Sequence, residues 1–113
     1  MKLFVRLLIF ILILFNASNN VYADNIDEIV SALQKSNFSE KEELITKLGN
    51  IQTNKSLKVL KYLEKGILYY IKESKINVFV KKVDKKYELT DITSGKNLGL
   101  FKKNKIKRIS LNN

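Results

Sequence analysis

The spacing of apolar residues changes once along this chain of 113 residues, and the change falls at Gly66. Before that position apolar residues recur every three or four positions, as at Ile26, Ile29 and Leu33, which is typical of amphipathic helices. After it apolar and polar residues alternate, as in the segment 76–80, which is typical of strands. The two patterns predict an α+β fold in which helices come first and a small antiparallel sheet follows.

The length favours a single domain, built from a helical part and a β part. We expect about three repeat-like helices in residues 24–66 and the sheet in residues 67–113. The helical part has seven acidic and seven basic residues, whereas the β part has four acidic and twelve basic residues. The formal net charge of +10 therefore comes mainly from the β part.

Capping residues predict where the helices begin and end. A capping box over 39–42, preceded by Phe38 as a hydrophobic staple, predicts that the second helix starts at Ser39. Gly49 and Asn50 are expected to end that helix, and Gly66 the third, since glycine and asparagine tolerate left-handed geometry. Thr53 and Asn54 are both candidate caps for the third helix. The residues expected to face the core are Leu44, Ile45 and Leu48 in the second helix and Leu57, Val59, Leu60 and Leu63 in the third.

The second half predicts four or more short extended segments. In the segment 76–80, Ile76, Val78 and Val80 share one face, and Asn77 and Phe79 lie on the other. The segments expected to be strands or turns are 67–71, 76–80, a hairpin leading to 87–89, a turn at 93–96 in which Gly95 supplies a positive φ, and 98–100. The basic segment 102–113 could begin a helix, with Ile106, Ile109 and Leu111 as its apolar anchors.

The first 23 residues have the layout of an export signal. Lys2 and Arg6 precede a nine-residue apolar run at 7–15, well below the ~20 residues that a membrane-spanning helix needs. Compact residues before Ala23 predict cleavage after that residue. An uncleaved anchor remains the alternative. Either reading places the rest of the chain at the periplasmic face of a bacterial inner membrane.

Missing residue types exclude several kinds of site. The chain has no Cys and no His, which excludes disulfides, thiolate nucleophiles, imidazole bases and His or Cys metal ligands. Adjacent acids such as Glu42 and Glu43 point in different directions on a helix and cannot share a proton or a metal. We therefore expect no catalytic residues, no metal, no cofactor and no enzyme activity.

The basic residues and aromatic residues of the β part admit two readings each. The lysines favour a solvated surface over a specific anion site, because only Arg6 and Arg108 are arginine and bidentate phosphate recognition favours arginine. No nucleic-acid partner is expected. Aromatic residues at strand spacing pack in a core more often than they stack on a ligand. The residues concerned are Tyr69, Tyr70, Phe79 and Tyr87.

Three segments resemble a known module: the helical pair 39–49 and 57–69, the segment 87–99 containing Leu89-Thr90-Asp91, and the terminal segment 105–113. Together they resemble the N-terminal extracytoplasmic region of urea ABC transporter permease subunits of the branched-chain amino acid permease type. The resemblance implies a role in urea uptake and structural roles for pattern residues, with Asp91 and Gly95 building a turn. The pattern residues are Gly49, Gly66, Asp91, Gly95, Leu98, Gly99, Asn112 and Asn113.

The chain departs from that family in ways that bear on function. Residues 54–56 and Asn97 stand where the family has proline. The family continues past the position of Asn113 into another helix and the membrane-spanning permease, so we expect a fragment, a split gene product or a truncated frame that cannot conduct urea alone. The implied partners are a second permease, the ATPases through the missing part, and a urea-binding protein. Membrane contact would come through the signal or the missing transmembrane region.

A second hypothesis does not depend on the family. The chain could be a free-standing secreted basic module that binds anionic envelope polymers or lipid headgroups in a salt-dependent way. A small hydrolase is disfavoured because no base and nucleophile pair is present. The lysines proposed for anion binding are Lys81, Lys82, Lys85, Lys86, Lys102, Lys103, Lys105 and Lys107.

Overall fold

The computed structural model describes residues 26–111, which form three helices followed by a five-stranded antiparallel sheet. The expected α+β arrangement is confirmed. No helix within this range is long and apolar enough to cross a membrane. The expected export signal, its cleavage after Ala23, and the pattern residues Asn112 and Asn113 lie outside the described residues.

Helix α1 comprises residues 26–33, and its buried stripe is the predicted one. Ile26, Ile29 and Leu33 are buried together with Val30. A turn at Gln34 follows, where the backbone N–H donates to the Ser31 carbonyl at 3.2 Å.

Helix α2 spans Phe38–Ile51, so both predicted ends of this helix were wrong. Asn37 is the N-cap, and its side chain accepts a hydrogen bond from the Glu40 N–H at 2.9 Å. Asparagine caps at least as well as serine, so the helix starts before the expected box at Ser39. Phe38 is 58% exposed and is not a staple.

The C-terminal end of α2 also differs from the prediction. Gly49 lies inside the helix, which continues for two more residues because Ile51 packs against the helix-side core. The left-handed residue that ends it is Gln52, with φ of 56°. The predicted stripe is confirmed, with Leu48 fully buried and Leu44 half-buried.

Helix α3 spans Asn54–Lys65 and begins and ends as predicted. The Thr53 hydroxyl accepts from the Ser56 N–H at 3.1 Å, and the Ser56 hydroxyl accepts from the Thr53 N–H at 2.9 Å. Gly66 ends the helix with φ of +74°. Val59 and Leu63 are buried as expected, but Leu57 is 53% exposed. Buried Ser56, not Leu57, begins the inward stripe because the cap fixes the helix rotation.

The sheet has the strand order β4-β3-β2-β1-β5, with every pair antiparallel. The helix expected after residue 102 is absent from the described part of the chain. A short 3₁₀ turn and strand β5 stand there instead, because β5 supplies hydrogen-bond partners to the free edge of β1. The strands are β1 Leu68–Ile71, β2 Asn77–Val83, β3 Lys86–Asp91, β4 Asn97–Phe101 and β5 Ile106–Arg108.

The connection between β4 and β5 requires the sheet to curl. The two strands occupy opposite edges, yet only residues 102–105 join them. In a flat sheet the edges would be roughly 19 Å apart, before any offset along the strands is added. Five peptide steps span at most about 17 Å, and the 3₁₀ turn shortens this reach. The sheet therefore curves into a small, partly closed barrel.

Alternation along the strands separates two hydrophobic cores. The barrel core consists of buried Val78, Val80, Leu89 and Ile106, with half-buried neighbours from β1, β3 and β4 and from Ile67. The helix-side core lies on the other face of the sheet. The predicted faces of β2 are confirmed for Val78, Val80 and Phe79, whereas Ile76 is 40% exposed and precedes the strand. The helix-side core consists of Ile26, Ile29, Val30, Leu33, Leu48, Val59, Leu63, Leu68, Tyr70, Ile92 and Ile109.

Two polar contacts attach α1 to the sheet. The buried amide of Asn77 donates to the Ser31 hydroxyl at 3.0 Å and accepts from the Gln34 amide at 2.5 Å. The Thr93 hydroxyl, in the turn after β3, donates to the Asp27 carboxylate at 2.6–2.7 Å. These contacts fix the helical layer relative to the barrel.

Candidate functional site

A groove of about 1000 Å³ opens beside β1 and β5. Five cationic side chains and three tyrosines line it, and none of the described lining residues carries a carboxylate. The groove is therefore a concentrated region of positive charge next to aromatic surface. The lining residues are Tyr69, Tyr70, Lys72, Lys75, Tyr87, Lys103, Asn104, Ile106, Lys107 and Arg108.

Because successive side chains of a strand point to opposite faces of the sheet, the two consecutive tyrosines of β1 lie in different surroundings. Tyr69 packs in the barrel core, with its ring 6.2 Å from that of Tyr87 and tilted by 36°. Tyr70 is buried in the helix-side core, and the Lys75 ammonium lies 5.3 Å from its ring centroid. The rings thus act first as packing residues, as the sequence predicted, although Tyr69 and Tyr87 remain half-buried at the groove.

Tyr62 and Phe79 fill the contact between α3 and β2. The Phe79 ring meets the Tyr62 ring edge-on at 4.3 Å, and the Lys58 ammonium lies 5.7 Å from both ring centroids. Phe79 is therefore a packing residue and takes no part in the groove.

Pairing between β1 and β5 places the cations around the groove. Lys107 lies opposite Tyr70, and Arg108 lies opposite Tyr69. The Lys72 N–H donates to the Lys105 carbonyl at 3.0 Å, which ties the end of β1 to the 3₁₀ turn. A cationic surface of this kind offers hydrogen-bond donors to anionic groups, and its attraction weakens with added salt.

The eight lysines proposed from sequence are all exposed but do not form one site. Lys103 and Lys107 line the groove. Lys102 and Lys105 line an adjoining cavity of about 640 Å³, which shares Lys72 and Asn104 with the groove. The remaining four, Lys81, Lys82, Lys85 and Lys86, lie on the β2–β3 hairpin.

The pattern residue Asp91 organises the turn between β3 and β4. Its carboxylate accepts from the backbone N–H groups of Thr93 at 2.8 Å and Ser94 at 3.4 Å. Its carbonyl accepts from the Gly95 N–H at 2.9 Å, and Gly95 has φ of +74°. The segment thus closes on itself through Asp91, and Thr93 connects it to α1.

A β-bulge follows the turn and involves two further pattern residues. Leu89 pairs with Gly99 and Thr90 pairs with Asn97, which leaves Leu98 as the extra residue. The Asn97 side chain accepts from the Gly99 N–H at 2.7 Å, and Gly99 has φ of +92°. Leu98 packs against the barrel core.

Sequence reasoning missed the groove as a site. The anion-binding residues proposed from sequence did not include Lys72, Lys75 or Arg108. These side chains meet because β1 pairs with a three-residue strand about forty positions later, and such a distant pairing leaves no local signal in the sequence. The only available hint was the excess of twelve bases over four acids in residues 67–113. Within the described range, no group of three or more His, Cys, Asp or Glu residues could hold a metal ion.

No protein-family model matches this chain, and no curated protein or solved structure is similar enough to match it.

Proposed function

We propose that this chain is the extracytoplasmic N-terminal portion of a urea ABC transporter permease subunit and contributes to urea uptake without conducting urea itself. The observation that carries the proposal is the segment 89–99. Its sequence resembles the family pattern apart from Asn97, which stands where the family has proline. Asp91 and Gly95 form the turn of this segment, and Leu98 and Gly99 form its bulge.

The proposed role within a transporter is docking. The turn after β3 is held to α1 by Thr93 and Asp27, and Asn77 holds α1 to β2. Because α1 is held to the sheet at both points, the helices and the sheet form a rigid unit. That unit would present its surface to a second permease or to a urea-binding protein. No catalytic step is part of this proposal.

Uptake of radiolabelled urea at low external concentration tests the proposal in the native host. Disrupting the gene should abolish uptake, and the intact gene supplied in trans should restore it. Uptake unaffected by the disruption would reject the transporter role. The reading frame beyond codon 113 gives an independent check, because a parent permease would encode Arg-Leu-Arg and then several long apolar segments.

The groove favours a second candidate, a secreted basic module that binds an anionic polymer or lipid headgroup. Five cations line the groove and none of its described lining residues is acidic, so it attracts such ligands. Co-sedimentation of the chain with vesicles that contain an anionic lipid should fall steeply as salt is added. Charge reversal at Lys103 and Lys107 should weaken binding, whereas reversal at Lys47 and Lys61 on the helices should have less effect. Binding to purely zwitterionic vesicles at the same level would reject this candidate.

A further inference from the structure

A second, more enclosed pocket of about 200 Å³ lies where the end of α1, the start of α2 and residues 107–110 meet. Its lining includes four cations, Lys35, Lys41, Lys107 and Arg108. None of its described lining residues is acidic. It is more enclosed than the groove, and of its four cations Lys41 is buried while the other three are exposed.

Lys41 is the unusual member of this set, because it is only 6% exposed. Lysine is almost never fully buried unless it is paired. The Lys41 ammonium donates to the Ser110 carbonyl at 2.6 Å. An ammonium group has three donors, and a neutral carbonyl does not balance its charge. A buried cation in this setting is stabilised by a negative group.

Arg108 supplies a second directional donor group. Its side chain lies alongside Gly66, where an added Cβ would come within 3.7 Å of the Arg108 Nη1 atom. The planar guanidinium suits carboxylate and phosphate oxygens because it can donate two parallel hydrogen bonds. A Cβ at that distance would make only ordinary contact, so the role of Gly66 is to end α3 with its φ of +74°.

The size of the pocket limits the ligand. Its volume of about 200 Å³ equals that of roughly seven water molecules at ~30 Å³ each. This is smaller than the ~300 Å³ or more that is typical of pockets for drug-sized ligands. We propose that it binds a single oxyanion group, a carboxylate or a phosphate, held mainly by Lys41 and Arg108. The proposal does not depend on the transporter role or on the groove.

Thermal unfolding of the purified chain in inorganic phosphate, acetate or chloride at matched ionic strength tests this site. Phosphate or acetate should raise the Tm above its value in chloride. Lys41→Met should lower the apparent affinity for that anion at least tenfold. Arg108→Lys should lower it several-fold, because lysine lacks the bidentate fork. Lys47→Met, an exposed position on the same helix, is the control and should respond like the wild type.

The same experiment separates an anion site from a purely structural lysine. Burying a cation without a counter-charge costs free energy, so Lys41→Met, which relieves that cost, should be at least as stable as the wild type in chloride. A purely structural Lys41 would instead make the variant less stable in every buffer. Arg108 is exposed, so Arg108→Lys tests the site even if Lys41→Met folds poorly.

The ratio of the two affinities identifies the source of the oxyanion. Tighter phosphate binding points to a phosphate-bearing ligand, and acetate binding of similar strength points to a carboxylate. Equal Tm values in all three salts, or an unchanged anion response in both variants, would overturn the proposal.

Discussion

The helix-side core and the barrel core share one sheet but are closed in different ways. Among the described residues, the helix-side core contains eleven buried side chains and is covered by α1, α2 and α3. The barrel core contains four buried side chains, and six half-buried ones surround it. Tyr69, Tyr87 and Ile106 connect this second core to the groove. The difference suggests that stability resides mainly on the helix side, and ligand access on the barrel side.

Matched truncations of two fully buried leucines test this comparison with the largest expected effect. Leu48→Ala in the helix-side core and Leu89→Ala in the barrel core should each destabilise the chain by about 2–5 kcal/mol. Leu48→Ala should cost more, because each core has six half-buried side chains but the helix-side core has eleven buried ones against four, so a larger share of the barrel core can move into the cavity. Unfolding in guanidinium chloride followed by far-UV circular dichroism measures both. A larger cost for Leu89→Ala would contradict the comparison.

Removing the Asn77 side chain tests the polar attachment between the two layers. Asn77→Ala leaves the Ser31 hydroxyl and the Gln34 amide without the partner that links them to β2. The substitution removes two hydrogen bonds, which contribute about 0.5–1.5 kcal/mol each, so it should cost about 1–3 kcal/mol. Hydrogen exchange should show faster exchange of α1 amides than of sheet amides. Asn104→Ala, at an exposed groove position, should change stability by no more than about 0.5 kcal/mol.

Losing the cap of α3 should have a smaller effect. Thr53→Ala removes the hydroxyl that accepts from the Ser56 N–H and should cost about 1 kcal/mol, whereas the bond from the backbone N–H of residue 53 to the Ser56 hydroxyl remains possible. Ser39→Ala serves as the control, since Ser39 is exposed inside the first turn of α2 and Asn37 is the actual cap. Its effect should lie within about 0.5 kcal/mol of zero. A comparable loss of stability from Ser39→Ala would mean that Ser39 caps α2, as the sequence predicted.

These cases show which parts of the fold local sequence can predict. The helical stripes and the faces of β2 follow from periodicity, which is a property of neighbouring residues. The start of α2 was wrong because two good caps, Asn37 and Ser39, lie close together and periodicity does not choose between them. The turn around Gly95 was predictable because glycine and Asp91 carry its geometry within five residues.

The barrel and its grooves could not be predicted in the same way. Closure depends on β5 pairing with β1, and a three-residue strand rich in basic residues resembles a solvated tail in sequence. The groove lining and the pocket around Lys41 both depend on that pairing, since Lys107 and Arg108 belong to β5. Lys41 also gave no sequence signal of burial, because it lies among charged residues in the first turn of a helix.

The smallest effects on stability are expected from replacing one glycine by alanine in the helical layer and one in the sheet layer. The two changes in stability should have opposite signs. Gly49 lies inside α2, and an added Cβ there meets nothing within 4 Å. Gly49→Ala should therefore stabilise the chain by up to about 1 kcal/mol, because alanine loses less conformational freedom in a helix. Gly95 also has open space around it, but its φ is +74°. Gly95→Ala should destabilise by about 1 kcal/mol, because an L residue is strained in that region.

Because neither alanine meets a steric obstacle, the sign of each change depends on backbone conformation alone. Thermal unfolding of the two variants side by side should show a higher Tm for Gly49→Ala and a lower Tm for Gly95→Ala than for the wild type. A loss of stability at Gly49 would mean that α2 ends there with left-handed geometry. Ile51 would then no longer be held by the helix against the helix-side core, and that core would be less completely covered than the comparison requires.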